Sequence, residues 1–345
     1  MPLADLPIPL DLSPMEAKLV DTVPTEPGWR FEPKWDGFRC LAFRAGDEVE
    51  LRAKSGKPLG RYFPDMVAAL QALPVRRFVL DGELTIAVDG ELSFEALQMR
   101  LHPAASRVAK LAAEHPASLV LFDCLLDARG GPLLDAPLTR RRAELERVFV
   151  KFGGAPQLRL SPGTERRGQA CGWLEALGSS LDGVVAKRLD GAYQPGERAM
   201  LKIKRMRSAD CVVGGFRYEQ GSRQVGSLLL GLYDDAGRLN HVGFTATITN
   251  AERPALTRKL EALAGGEGFT GDAPGGPSRW SNERSSEWTP LRPELVVEVR
   301  YDHVTGDRFR HGAKLLRWRP DKDPRQCTFE QLQPETAPER LVRAL

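Results

Sequence analysis

Histidine and cysteine are both scarce in this chain, with five of each among 345 residues. The cysteines, Cys40, Cys124, Cys171, Cys211 and Cys327, form no C-x-x-C pair, which argues against a zinc site and a disulfide framework and suits a reducing compartment. His311 has no companion His or Cys at ligand spacing, so it is not read as a metal ligand. No stretch reaches the ~20 apolar residues of a membrane span, and the N-terminus has no basic segment leading into an apolar one. The expectation is a soluble cytoplasmic protein with no membrane partner. Net charge is also small, at +3, so any grip on a polyanion must come from local clusters.

What is present is ordinary globular composition, 42% hydrophobic and 28% charged, in a chain long enough for two domains. The Pro-rich first thirty residues read as an extended arm lying on the body. The stretch Phe31-Glu32-Pro33-Lys34-Trp35-Asp36-Gly37-Phe38-Arg39 follows. A lysine amine is nucleophilic only as the free base, and a reference pKa of about 10.4 means that cations or desolvation must favour that form. Gly37 permits a tight turn, Asp36 can hold an ammonium or a ribose, and Arg39 can reach a sugar or phosphate. On a plain surface the same K-x-D-G would be a hairpin turn.

Acids then recur inside apolar runs. Phe78 to Ile86 is a buried-type strand carrying Asp81 and Glu83, and Leu119 to Leu126 is another carrying Asp123 beside Phe122. Burying a carboxylate without partners is costly, which points to a site rather than to core. Phe122 can be core or a stacking face for a base. Thr139 is a candidate N-cap for a helix reaching Val150, with Arg140-Arg141-Arg142 as a solvated face. Asp182 lies on the strand Leu181 to Lys187, and in Met200-Leu201-Lys202-Ile203-Lys204 alternation puts Lys202 and Lys204 on one face, with a phosphate as the natural anion between them.

Past residue 207 the pattern turns to about five short strands and one helix, the element count of an OB barrel. Ser208 to Asp210 reads as the pivot between the halves. The segment Arg308 to Arg325 holds seven Lys/Arg against two acids, with aromatics interleaved, a composition that can grip phosphates.

Together these stretches resemble the nucleotidyltransferase superfamily of ATP-dependent DNA ligases, and most closely its small bacterial LigC-type members. The resemblance implies an α+β protein: an ATP-grasp-like nucleotidyltransferase domain with antiparallel sheets over residues 1–207, then a β-barrel OB-fold domain over 208–345. By it, Lys34 matches the adenylated lysine, with Asp36, Gly37 and Arg39 completing the first motif. Glu32 matches a residue beside the adenine pocket, Glu83 the acid near the ribose and Phe122 the aromatic packed on adenine. Lys202 and Lys204 match the paired lysines at the AMP phosphate, and Lys187 joins them as a nucleotide contact. Arg317, Arg319, Asp321 and Lys322 fall in the motif that orients pyrophosphate. Asp182 stands where most members have a metal-associated glutamate, and Glu83 is a second candidate metal ligand. In Leu51-Arg52-Ala53-Lys54-Ser55-Gly56, which resembles the S-R-N-G motif, either Arg52 or Lys54 contacts phosphate. Arg223, Arg308 and Arg310 are candidate DNA contacts.

The implied reaction is ATP- and Mg²⁺- (or Mn²⁺-) dependent sealing of nicked duplex DNA through lysyl-AMP, in DNA repair, by a nucleoid-associated monomer that a repair polymerase or end-binding protein could recruit. An RNA ligase, a capping-type guanylyltransferase and a non-catalytic nucleic-acid-binding module are the alternatives. An NAD-dependent ligase is disfavoured, because the zinc-binding cysteines of that class are missing.

Overall fold

The computed structural model describes residues 2–176, 181–204, 206–275 and 287–332, and the chain divides into two compact units, Met1–Arg205 and Met206–Glu335. In the first unit the elements are β1 (Ala17–Val20), β2 (Trp29–Trp35), β3 (Phe38–Ala45), β4 (Glu48–Ala53), α1 (Pro64–Ala72), β5 (Arg77–Val88), β6 (Glu91–Leu92), α2 (Phe94–Arg100), α3 (Ala105–Glu114), β7 (Ala117–Cys124), α4 (Leu138–Lys151), β8 (Leu158–Leu160), α5 (Arg167–Ala176), β9 (Leu181–Arg188) and β10 (Met200–Ile203). They build two sheets, β1-β10-β9-β2 and β4-β3-β5-β7-β8, with β6 added to β5.

Strand β3 shows why its apolar run is nearly continuous. Cys40 and Ala42 pack with Phe63, Met66 and Leu70 on one face, while Leu41 and Phe43 pack on the other with Ile8 and Met15 of the N-terminal arm and Met200 of β10. A strand buried on both faces has no need of a polar alternation. Helix α5 packs on the smaller sheet through Ala170 and Trp173, against Phe31, Val184 and Ala186. The sheets are mainly antiparallel, but β1–β10 and β7–β8 are parallel. Between β7 and β8 the chain crosses over through α4, the kind of connection that parallel pairing requires.

Helix α4 departs from expectation twice. It starts at Leu138, with Pro137 at the N-cap and no side-chain cap, so Thr139 lies inside the first turn. Arg140 is exposed, but Arg141 and Arg142 are buried. Arg141 donates from Nε to Asp123 Oδ1 at 2.8 Å and from Nη2 to Asp123 Oδ2 at 3.1 Å. The cause is helical period: Leu138, Leu145 and Val148 face the core, and Arg141 shares their stripe.

The second unit contains β11 (Arg207–Tyr218), β12 (Val225–Tyr233), β13 (Leu239–Thr245), α6 (Arg253–Glu261), β14 (Thr289–Pro290), β15 (Val296–Tyr301), β16 (Val304–Thr305), β17 (Arg308–Phe309) and β18 (Lys314–Trp318). Its sheet runs β13-β12-β11-β15-β18, with β14 on β11, and β16–β17 form a separate hairpin. Ser208 to Asp210, read from sequence as a pivot, are paired with Arg300 to Glu298 in the β11–β15 ladder, so the strand begins earlier than the sequence suggests. The barrel is partly open. Among the described residues no ladder joins β13 to β18; the two edges meet where Ala313 N donates to Phe244 O at 2.8 Å, beside the Thr247 hydroxyl, which accepts from Leu315 N at 3.4 Å.

Candidate active site

Two glycines let the strands carrying the site approach closely. A Cβ on Gly37 would lie 2.2 Å from the Leu84 carbonyl oxygen, and one on Gly183, which sits at φ +144°, would lie 2.0 Å from the Ile203 carbonyl oxygen. Any side chain there would push β3 from β5, or β9 from β10. Next to Gly183 the β2–β9 register slips: Lys34 pairs with Gly183, but Trp35 pairs with Leu181. Asp182 is therefore the extra residue of a bulge, a device that re-aims a side chain. Its Oδ2 lies 2.5 Å from Lys34 Nζ and 3.3 Å from Lys204 Nζ.

Lys34 in turn borders a cavity of about 220 Å³ lined also by Glu32, Arg39, Lys54, Glu83, Phe122, Lys187 and Lys202, with apolar walls from Met15, Val185 and Met200. Burial opposes the Asp182 charge, yet Lys34 and Lys204 outweigh it and hold the carboxyl below the usual carboxylate range. Burial pushes Glu83 up to about 7, against the pull of Arg39 and Lys34. The Lys202 ammonium is lowered by burial, then by Lys34, Lys204 and Lys54. Such mutually repelling lysines gain by taking up an anion.

The other polar group of the cavity is organised around Glu32. Its buried carboxylate accepts from Lys187 Nζ at 2.8 Å and from Arg30 Nε at 3.1 Å. The Lys187 ammonium lies 4.4 Å from the Phe122 ring centre, and the Arg39 guanidinium 4.6 Å from it. Phe122 is thus an aromatic cavity wall with cations against it, and a flat heteroaromatic base suits such surroundings.

The two candidates of the 51–56 stretch part company. Lys54 lines the cavity and pairs with Glu16 at 2.9 Å, whereas Arg52 is held by Glu50 at 2.9 Å and donates to Gly56 O at 3.0 Å. Asp36, in the β2–β3 turn, is outside the cavity lining. Among the described residues no three His, Cys, Asp or Glu side chains converge as a metal cage. A hard divalent ion bound through one or two carboxylates and substrate phosphates needs no such cage; the Glu83 carboxylate lines the cavity, and that of Asp182 is held against Lys34.

In the second unit, Arg319 Nη1 donates to Asp210 Oδ1 at 2.9 Å and Nη2 to Asp321 Oδ2 at 2.9 Å. Lys322 Nζ stands 3.8 Å from Asp210, and Arg317 pairs with Glu298 at 2.6 Å. The hydrogen bond from Arg319 pulls Asp321 down to about 2. Arg308 is exposed and donates to His241 Nδ1. Arg310 follows in the segment between β17 and β18, and Arg223 is exposed in the β11–β12 turn.

Sequence reasoning missed Met15, Glu16, Val185 and Met200 as cavity walls, and Asp81 and Tyr193 behind them. Asp81 carried a signal, since it is one of two acids in an apolar strand. So did Val185 and Met200, which alternate with Lys187 and Lys202 on their strands; Met15 and Glu16 carried none, because the arm meets β10 only through long-range pairing.

Residues 14–204 match the profile of the ATP dependent DNA ligase domain, and residues 221–322 that of the ATP dependent DNA ligase C terminal region. DNA ligase C2 of Mycolicibacterium smegmatis is 47% identical, across 95% of this chain and 96% of that protein. DNA ligase C of Mycobacterium tuberculosis is 44% identical, across 95% of each. Among solved structures, a mycobacterial DNA ligase D complexed with ATP and MES aligns with a TM-score of 0.50 at 29% identity, covering 92% of this chain and 98% of that one.

Proposed function

The chain belongs to the ATP-dependent DNA ligases, and from that premise we propose that Lys34 is the residue that carries AMP between ATP and the nick. The observation that supports this most strongly is the placement of Lys34 Nζ, 2.5 Å from Asp182 and in the wall of a cavity shared with Lys54, Lys202, Glu32 and Phe122.

In the first step the Lys34 amine attacks the α-phosphorus of ATP. A P–N bond forms, the bond to the β-phosphate bridge breaks, pyrophosphate leaves, and the proton shed by the amine passes to solvent. Asp182 orients Nζ, and Lys202 and Lys204 stabilise charge on the transferring phosphoryl group. Lys54 rather than Arg52 takes the phosphate contact, since Lys54 lines the cavity. Glu32, Lys187 and Phe122 hold the base. A divalent ion, Mg²⁺ or Mn²⁺, would be held by Asp182 and Glu83, and when bound it supplies Lewis-acid charge neutralisation at the phosphates. AMP then passes to the 5′-phosphate at the nick, and the 3′-hydroxyl displaces it as the strand closes.

The second unit contributes Arg317, Arg319 and Lys322 to the pyrophosphate, with Asp321 fixing Arg319, while Arg223, Arg308 and Arg310 touch DNA. The domain limits are 1–207 and 208–345. The enzyme acts as a cytoplasmic, nucleoid-associated monomer in DNA repair, recruited by a repair polymerase or end-binding protein.

Denaturing electrophoresis of a labelled nicked duplex, with ATP or GTP and with DNA or RNA at the nick, tests the reading. ATP-dependent sealing of the DNA nick is the expected result. Sealing confined to RNA, or labelling of the protein by GTP alone, would replace this reading with an RNA ligase or a capping enzyme.

A further inference from the structure

We propose that Asp81, Tyr193 and Arg39 form a clasp that fixes the peptide of Met15 as a wall of the nucleotide cavity, so that Asp81 and Tyr193 are positioning residues for ATP in the adenylation step. The inference rests on the assignment of the cavity to ATP given above.

Residues 12–16 of the arm form no helix or strand, yet Met15 is only 4% exposed and lines the cavity. Side chains hold its peptide from both sides. Its N–H donates to the Tyr193 hydroxyl at 3.1 Å, and its carbonyl accepts from Arg39 Nη2 at 3.3 Å.

Both of those side chains converge on one carboxylate. Asp81 is fully buried and accepts from Arg39 Nε, Arg39 Nη2 and the Tyr193 hydroxyl, each at 2.6 Å. A buried carboxylate is tolerated when its lone pairs are satisfied in this way. The tyrosine hydroxyl works in both directions, donating to Asp81 and accepting from Met15. A further contact, Gln194 N to Met15 Sδ at 3.3 Å, turns the thioether of the same residue toward the Tyr193 segment.

The clasp bears on nucleotide binding, beyond joining the arm to the sheet, because one of its members and the residue it holds both face the cavity. Arg39 lies against Phe122, and Met15 belongs to the lining. Loosening the Asp81 hub would release an aromatic wall's partner and an apolar wall together. Position of a wall affects how tightly the base is held more than the chemistry at Lys34, which lies at the Asp182 end of the site.

Tyr193→Phe tests this, since it keeps the buried ring and deletes both hydroxyl bonds. For adenylation of Lys34, the KM for ATP should rise roughly 3- to 10-fold, while kcat at saturating ATP stays within about twofold of wild type. Hydrogen exchange at the Met15 amide should quicken in the nucleotide-free variant. Met15→Ala should raise the KM in the same way while leaving the Tyr193 and Arg39 bonds to its peptide in place. An unchanged KM in both variants, with wild type labelled normally by ATP, would overturn the clasp alone and leave it a structural tie. Failure of wild type to be labelled by ATP would instead overturn the cavity assignment on which the inference stands.

Discussion

Lys34 Nζ sits 2.5 Å from Asp182 Oδ2, and the same oxygen is shared with Lys204 at 3.3 Å. One carboxylate therefore orients the nucleophile and holds it beside a neighbouring cation. Asp182→Asn keeps the shape and removes the charge. Single-turnover adenylation at saturating ATP should fall on the order of 10²-fold. Asp182→Glu, which restores the longer acid common in the family, should keep most of the rate. Equal losses in the two variants would contradict a role resting on charge.

Lys54 and Arg52 give a paired prediction. Lys54→Ala should raise the KM for ATP by about tenfold, the scale of one lost charge-assisted contact. Arg52, tied to Glu50 and Gly56 O outside the cavity, should change that KM by less than about twofold when replaced by alanine. Steady-state pyrophosphate release measures both.

The Asp123–Arg141 pair predicts a stability difference within one arginine run. Arg141→Ala leaves a buried carboxylate uncompensated and should cost about 3–5 kcal/mol, whereas Arg140→Ala, on the exposed face, should fall within about 0.5 kcal/mol of wild type. Urea denaturation of the two variants decides it.

That pair also shows how far the sequence could be read. Lys34, Glu83, Phe122 and Lys202 were legible because a lysine, an acid in an apolar strand, an aromatic and a second lysine, in that order along the chain, resemble a known motif set. Short strands around one helix were legible in the second unit, but not β18, which runs through the segment read as a basic phosphate grip, nor the open seam between β13 and β18, which depends on where strand edges meet in space. Arg141 was misread because three consecutive arginines suggest solvent. The stripe Leu138, Arg141, Leu145 and Val148, at spacings of three and four, held the correct answer. The clasp was illegible: Met15 and Tyr193 are 178 residues apart, and nothing local in either marks the other.

His241 supplies the acid-side prediction. Burial, then the charges of Arg308 and Arg217, lower its imidazole from 6.5 to about 3. The folded chain keeps this ring neutral while the unfolded chain protonates it below about 6.5, so stability falls with a slope of about 1.4 kcal/mol per pH unit as pH drops from there toward about 3. His241→Gln should flatten that part of the profile. Denaturation midpoints of wild type and variant at pH 7, 6, 5 and 4 give the comparison, and parallel profiles would contradict the assignment.

The most direct test of Lys34 as the AMP carrier is incubation with ATP radiolabelled at the α-phosphate and a divalent metal, after pyrophosphate treatment to strip bound AMP, followed by denaturing electrophoresis. The expected result is one acid-labile AMP on the wild-type chain and none on Lys34→Ala. A label that persists in Lys34→Ala, or a wild-type chain that takes none, would contradict it.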